Sequence, residues 1–380
     1  MKRIKLCAVG DIMPGGVFSG IDKRIKLDAQ ITDYLNNADI RLATLETAIG
    51  EEETFIEEKV SRLGDLVYSK DDDLKRLVEL NINVVNLANN HIFDLGKDGI
   101  SHVIDLLDKL GIKHFGAGLN LEEAKRPAVF NINGKKIALV GFCDWRNDTT
   151  GWCLMATETT PGVNPLFGDY EQQIKNLKLK YDYVIVVPHW GKEHTFWPTN
   201  HVVKHAKKMI KAGADVVIGG HSHRAQPVVR YRNKIIAYSL GNFLFADRLI
   251  NAPRSSWYPN KDDSIDYRFV ERTESYPYVT EPTLVTFSSK DKIGSILNIG
   301  LGDQLFAKYD LICYENSNRI SLLKNDLKQV YPKLYIIGQL TKFSIYPSII
   351  YPFFEFLYKL KNGVPFKFLN LFINKSRLSI

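Results

Sequence analysis

The sequence predicts an α/β protein with mixed sheets, and three observations carry that reading. Through about residue 240, short apolar runs alternate with stretches of helical periodicity. The runs are rich in Val, Ile and Leu and end in polar residues, the pattern of interior strands buried on both faces. Two hairpin signatures, "AVFNINGKKIALV" and "PVVRYRNKIIAYSL", require antiparallel pairs among strands that are otherwise joined by helices.

The strands come in order. They are "IKLCAVGD", "ADIRLATLE", "INVVNLANNH", "KIALVGFCD", "YDYVIVVPHWG" and "ADVVIGGHSH". Helices are expected over Asp71–Leu80, over Asp98–Leu110 with Gly111 as a C-terminal stop, and over Thr199–Ala212 with Gly213 in the same role. The hairpins turn at Asn133-Gly134 and near Arg232-Asn233. From about 246 to 282 the alternation stops, and the polar, aromatic stretch reads as an insertion or lid-like loop. The run "TLVTFSSKDKIGSILNIGL" reads as one further strand completing a body over residues 1–300, and residues 301–380 read as a separate C-terminal extension.

Composition narrows the class. The balance of residues is that of an ordinary globular protein, neither repetitive nor disordered. The four cysteines show no paired spacing, which suits a reducing compartment. The start "MKRIKLCAVGD" reaches Gly10-Asp11 before an apolar signal core could form, so a cytoplasmic protein is expected. Residues 301–380 hold eleven Lys/Arg against five Asp/Glu, a surplus of six out of the net +7. This basic tail alternates aromatics with lysines in "FFEFLYKL" and "FKFLNLFI", which suits either packing against the body or peripheral contact with an anionic membrane surface. Its apolar run is interrupted by Pro347 and Pro352 and is too short to span a bilayer. No RRM, zinc-finger or helix-turn-helix signature appears, so no nucleic-acid partner is expected.

The residues just past each strand carry the chemistry. Asp11 comes after the first strand and Glu46 after the second; Asn89, Asn90 and His91 come after the third; His189 comes after "VIVVP", and His221 and His223 come after "VVIGG". Sites in open α/β sheets form outside the carboxyl ends of strands, so these groups can meet on one rim. Gly219 and Gly220 would let both imidazoles turn toward one point, by positive φ and by close backbone approach. Carboxylate, amide and imidazole ligands without thiolate suit Mn, Fe or Zn. Two such ions need a bridging carboxylate, for which Glu46 is the candidate. Asp11 and His223 would complete one ion's shell; Asn90, His189 and His221 would complete the other's.

The motifs "GDIM", "LET", "LANNHIFD", "HWGKEH", "GGHSH" and "YSLGNF" resemble, in order and spacing, those of the CapA-type capsule or poly-γ-glutamate synthesis proteins, whose domain is similar to a calcineurin-type metallophosphatase. The resemblance covers about residues 1–300. It implies a four-layered α/β/β/α metallophosphatase-like sandwich with a dinuclear metal site at its rim. By position it carries metal-site roles to Asp11, Glu46, Asn90, His91, His189, His221 and His223. Two departures stand out. Met13 occupies the position where the usual metallophosphatase has the histidine of D-x-H, which implies a weaker Asp11 site, and the bridge is a glutamate rather than an aspartate, as in the CapA group.

Among the remaining polar residues, His91 is the candidate proton donor, with Asp94 either orienting its ring or capping the next helix. Arg224, Asn242 and His194 are candidates for binding an anionic small-molecule or polymer substrate. His201 and His205 share the spacing of a metal pair but lie in a lysine-rich helix and read as solvent-facing. Two functions are expected as alternatives: a metal-dependent hydrolase of a phosphoester or of the amide of an anionic polymer, or a non-catalytic accessory protein that supports a capsule-synthesis complex through the same rim.

Overall fold

A computed structural model of the chain describes residues 3–18, 24–50, 67–144, 155–245, 247–250, 268–271, 281, 283–287, 291–315, 319–323, 332–342, 346 and 351. Two sheets dominate. The larger runs, in spatial order, β2 (Lys26–Leu27), β15 (Arg319–Leu322), β14 (Phe306–Glu315), β13 (Ile293–Leu301), β1 (Ile4–Met13), β3 (Ile40–Leu45), β4 (Val84–Asn86) and β5 (Lys113–Phe115). β12 (Asn242–Phe245) pairs in parallel with the end of β1. The smaller sheet runs β10 (Val228–Tyr231), β11 (Lys234–Ala237), β9 (Val216–Ile218), β8 (Tyr183–His189), β7 (Lys135–Cys143) and β6 (Ala128–Ile132). Both hairpins form where expected, with positive φ at Asn133 and Gly134 and at Arg232 and Asn233.

Strand alternation builds the layers. Leu6 and Ala8 of β1, with Leu42 and Val84, pack between the sheets against Ile137, Leu139, Ile185, Val216 and Ile235. The intervening residues Cys7, Val9, Ala43 and Val85 face the opposite way and pack under helices α1 (Ala29–Asn36), α2 (Lys75–Glu79) and α3 (Gly96–Lys109). On the far side Val140, Val184, Val186, Val217 and Ile236 pack under α4 (Tyr170–Lys178) and α5 (Asn200–Ala212). The result is the α/β/β/α sandwich. Each sheet is buried on both faces, which is why its strands read as continuous apolar runs rather than alternating ones. Helix α5 shows the local signals at work: the Thr199 hydroxyl accepts the Val202 N–H, and Gly213 ends the helix at φ 119°.

The body does not stop at residue 300. β14 pairs antiparallel with β13 along eight residues, and β15 pairs with β14 in turn, so the boundary expected at 301 falls inside the larger sheet. The break at Gly302-Asp303 is a strand-to-strand turn, which composition alone does not separate from a linker. Helix α6 (Pro332–Thr341) and Tyr346 also belong to the body. Ile337 and Tyr346 are buried, and the Tyr346 hydroxyl donates to the Pro198 carbonyl at 2.8 Å. The lysine-flanked aromatics after residue 351 lie outside the described residues.

The 246–282 stretch is not all loop. Arg248–Ile250 and Arg268–Glu271 both pair with Thr283–Thr286 in a small three-stranded sheet, the rest of the stretch lying outside the described residues apart from Asp247 and Glu281. Strands of three or four residues in a polar background leave too little periodicity to be read. The run expected as one strand is two, Thr283–Thr286 and β13, with Asp291 in the bend between them. Among the described residues no helix is long and apolar enough to cross a membrane.

Candidate metal centre

The carboxyl ends of β1, β3, β4, β8 and β9 converge on one rim. Asp11 is fixed through its backbone, whose N–H donates to the Gly241 carbonyl at 2.9 Å, and the Glu46 N–H donates to Ile12 O at 2.9 Å. The two carboxylate strand ends are therefore held side by side. After β4, Asn89 shapes the turn: its Nδ2 donates to Leu45 O at 2.7 Å, and its Oδ1 accepts the N–H groups of His91 and Ile92 at 3.0 Å each. That turn presents Asn90 and His91. From the second sheet, His189 ends β8 and is bridged in parallel to Gly220.

The glycines act differently from expectation. Neither Gly219 nor Gly220 is at positive φ; the left-handed residues are His221 (φ 82°) and His223 (φ 52°) themselves, together with His194 (φ 56°). The glycines serve close approach. A Cβ on Gly220 would lie 2.5 Å from Asp11 Oδ1, and one on Gly219 would lie 2.0 Å from Tyr238 O. Three histidines at this rim hold a left-handed conformation that costs a side-chain-bearing residue energy.

The six residues read as ligands come together, all at 6% exposure or less. They form two groups that share one member: Asp11, Glu46 and His223 have ligand atoms within 4.8 Å of one another, as do Glu46, His189 and His221. Around His189 Nε2 lie Asn90 Oδ1 at 2.8 Å, His221 Nδ1 at 3.2 Å and Glu46 Oε1 at 3.2 Å. His223 Nε2 is 3.7 Å from the same Glu46 oxygen. Ligand atoms sharing one ion through bonds of about 2.1 Å sit roughly 3.0–3.4 Å apart, which matches the His221 and Glu46 distances of 3.2 Å from His189 Nε2, while Asn90 sits closer at 2.8 Å.

Electrostatics point the same way. Asp11 Oδ1, both Glu46 oxygens and His189 Nδ1 are buried with no hydrogen-bond partner. The His221 N–H reaches Asp11 Oδ2 at 3.1 Å, and in the absence of a cation the Asp11 and Glu46 carboxyls otherwise meet each other, a pair that burial and mutual repulsion drive to hold a proton. Burial and then the Glu46 charge push the Asp11 carboxyl well above its ordinary range. Burial raises Glu46 as well, against the opposing pull of His223 and His221. Burial drives His189 down to about 3 and His221 down to about 4, so both imidazoles are neutral near pH 7 and offer a lone pair. Unsatisfied carboxylates beside neutral imidazoles make buried clusters compatible with divalent metal binding.

The other candidates divide. His91 Nδ1 lies 2.8 Å from Asp94 Oδ2, which also accepts the Val67 N–H at 2.7 Å. The Asp94 carboxylate thus meets the His91 ring, the contact that the orienting reading needs, and the N-cap of α3 is Leu95. Asn242 is completely buried: its Oδ1 sits 2.9 Å from His223 Nδ1 and its Nδ2 donates to Asp291 O at 3.1 Å. It holds the His223 ring against the Asp291 backbone. Arg224 donates from Nε to Asp291 Oδ1 at 2.8 Å and stacks on Phe196. His194 Nδ1 lies 3.0 Å from that same oxygen, and its ring stacks on His223 at 5.6 Å between centroids. His201 is not left to solvent alone, since its Nε2 is 2.8 Å from Asp144 Oδ2. Burial holds the neighbouring His205 down at about 4, with its ring against Tyr170.

Two residues escaped the sequence reading. Asp291 lies in a polar run of sequence, "SSKDKIG", that carries no motif. Glu193 stands inside the quoted "HWGKEH", two residues past Gly191, and that placement was the available signal. Its charge reaches Glu46, His189 and His221. Met13 is completely buried in the helix-side apolar core, where it packs with the aliphatic and aromatic side chains there.

Similarity to known proteins falls on the same residues. The chain is 32% identical over 252 residues to the capsule biosynthesis protein CapA of Bacillus anthracis, covering 64% of this chain and 60% of that protein. It is 30% identical over 213 residues to a probable polyglutamine synthesis accessory protein of Mycobacterium tuberculosis, covering 54% and 55% respectively. The chain thus spans between half and two thirds of the length of these relatives. Among solved structures, the 5′-nucleotidase of Candida albicans aligns over 89% of this chain and 56% of its own, at 11% identity and a TM-score of 0.40. The family model of the bacterial capsule synthesis protein PGA_cap matches residues 5–247. That span takes in well over half of the chain and every residue of the rim cluster, and the chain belongs to the PGA_cap family.

Proposed function

We propose that the chain is a metal-dependent hydrolase acting on a phosphoester or on the amide of an anionic polymer, within capsule or poly-γ-glutamate synthesis. The names of the relatives supply the pathway. The observation that supports the chemistry is Glu46, a completely buried carboxylate shared by two ligand groups with neither oxygen hydrogen-bonded. In this reading Asp11, Glu46 and His223 hold one divalent ion (Mn, Fe or Zn), and Glu46, Asn90, His189 and His221 hold the other. Bound there, such ions supply Lewis-acid polarisation of the reacting group.

The chain's own residues handle positioning and protons. Asp94 takes the Nδ1 hydrogen of His91, which fixes the ring tautomer and leaves Nε2 to exchange a proton with substrate. Asn242 holds the His223 ring through Nδ1. A screen of phosphomonoesters, phosphodiesters and poly-γ-glutamate with added Mn tests the reading. Turnover that His91→Ala lowers about 100-fold is expected; absence of turnover on all three classes would overturn it.

A second reading, a non-catalytic accessory that uses the rim to hold polymer or a synthase complex, draws support from Met13. Its burial in the apolar core leaves the Asp11 group without a fourth side-chain ligand of the usual kind. Polymer binding without hydrolysis, with metal bound, would favour it. Attachment to a membrane through the basic residues after 351 is a further proposal, tested by salt-sensitive binding to anionic vesicles.

A further inference from the structure

His223 is gripped from two directions, and both grips lead to Asp291. The first runs through Asn242, whose Nδ2 donates to the Asp291 backbone oxygen at 3.1 Å and whose Oδ1 lies 2.9 Å from His223 Nδ1. Elimination fixes the hydrogens along this route. A backbone carbonyl only accepts, so Asn242 must turn its NH2 toward Asp291 and its oxygen toward the imidazole; that oxygen also only accepts, so His223 Nδ1 carries the hydrogen. The neutral ring then keeps its lone pair on Nε2, the nitrogen that lies 3.7 Å from Glu46 Oε1.

The second grip runs through the Asp291 side chain. Its Oδ1 lies 3.0 Å from His194 Nδ1 and accepts the Arg224 Nε–H at 2.8 Å, and the His194 ring lies flat on His223 with 5.6 Å between centroids and 22° between planes. Phe245 meets the same ring edge-on at 4.9 Å. The residue at which the two routes join comes from outside the rim motifs, since Asp291 lies beyond the residues 5–247 that the family model matches. It follows Thr283–Thr286, the middle strand of the small three-stranded sheet. Asp247, next to the end of β12, fastens that segment: its Oδ1 accepts the Phe287 N–H at 2.9 Å and its Oδ2 accepts from Lys292 Nζ at 3.3 Å.

Resting on the reading that Asp11, Glu46 and His223 hold an ion, we infer that Asp291 is a positioning residue for that ion, fixing the tautomer of His223 through its backbone and the tilt of the ring through its carboxylate. Both routes end on His223, which belongs to the Asp11 group and not to the Glu46–His189–His221 group, so the effect falls on one ion. The Asp11 group has the greater need of such support. It offers three side-chain ligands while Met13 is buried in the apolar core, and a ligand already aimed spares the ion the cost of ordering it.

The test uses the full chain, with isotope-labelled histidine for NMR in chelator and with Mn for calorimetric titration. In the chelated wild type, His223 should carry its hydrogen on Nδ1. For Asp291→Ala we expect the Asp11-group ion to weaken about tenfold with the other ion unchanged, and the His194 ring to lose its single tautomer. Asp291→Asn, whose side-chain oxygen still accepts from His194, should recover most of that affinity. His194→Ala, which removes the stacked ring and keeps Asp291, should weaken the same ion. Wild-type affinity for both ions in Asp291→Ala, or equal weakening of the two, would overturn the role of Asp291 while the metal reading stands. A hydrogen on Nε2 of His223 in the chelated wild type would do the same, whether or not any variant folds. A wild type that binds no Mn would overturn the metal reading and this inference with it.

Discussion

Strand β9 has a buried carboxylate near each end, and the two are treated in opposite ways. At its start Asp215, 2% exposed, is surrounded by donors: Lys178 Nζ at 2.8 Å, Lys234 Nζ, and the Val184 N–H at 2.9 Å. Past its other end, the backbone of His221 reaches Asp11, which with Glu46 has buried oxygens and no such company. The contrast separates two uses of buried charge. A satisfied carboxylate ties elements together, as Asp215 ties α4 to the smaller sheet. An unsatisfied pair destabilises the metal-free fold and is retained where a cation completes it.

The largest effect should come from removing the shared group. Glu46→Gln should weaken both ions at least about 100-fold, roughly 3 kcal/mol each, because the amide has one good acceptor oxygen and no charge to offset two cations. Calorimetric titration with Mn would show it, and wild-type affinity for either ion would mean that Glu46 is not shared. At the opposite end of the strand, Asp215→Asn should cost about 2 kcal/mol of stability in urea and leave metal content untouched. The figure is held down because both lysine side chains are about a third exposed. A change in bound metal would dissolve the contrast.

Asp11 sharpens it through pH. Its folded carboxyl is raised above the unfolded value, so the folded state keeps a proton that the unfolded chain has lost. The metal-free protein should therefore lose stability from this group as pH climbs above about 4, until the folded pKa is passed. Asp11→Asn removes that slope and should stabilise the chelated protein by about 1–2 kcal/mol at pH 8, with less gain at pH 5. Melting in chelator at the two pH values checks this; an equal effect at both would show that Asp11 is not held protonated. The smallest effect is expected from Asn242→Ala, which frees the His223 ring and should weaken the Asp11 ion about tenfold while sparing the other. Loss of both ions equally would place Asn242 elsewhere in the scheme.

Much of the fold was legible because burial on both faces makes each central strand an unbroken apolar run, and both hairpins announce themselves by turn chemistry. The rim was legible for a related reason: polar residues at strand ends need no tertiary knowledge to be placed on a common edge. Long-range company is what the sequence hides. Nothing in "SSKDKIG" says that Asp291 will meet His194 and Arg224, residues 97 and 67 positions away. Asn242 was expected as a substrate-binding candidate, and the sequence does not show that parallel pairing of β12 with β1 buries it beside His223. The sheet's continuation through β14 and β15 was missed because a charged tail with scattered aromatics has the same composition whether its strands pair or not.

The most direct measurement is the metal content of the wild-type protein, purified, chelated, reloaded with Mn and assayed by plasma emission. Two ions per chain, accompanied by a rise in melting temperature, is the result that the shared Glu46 and the unsatisfied Asp11 require. No bound metal and an unchanged melting temperature would contradict it.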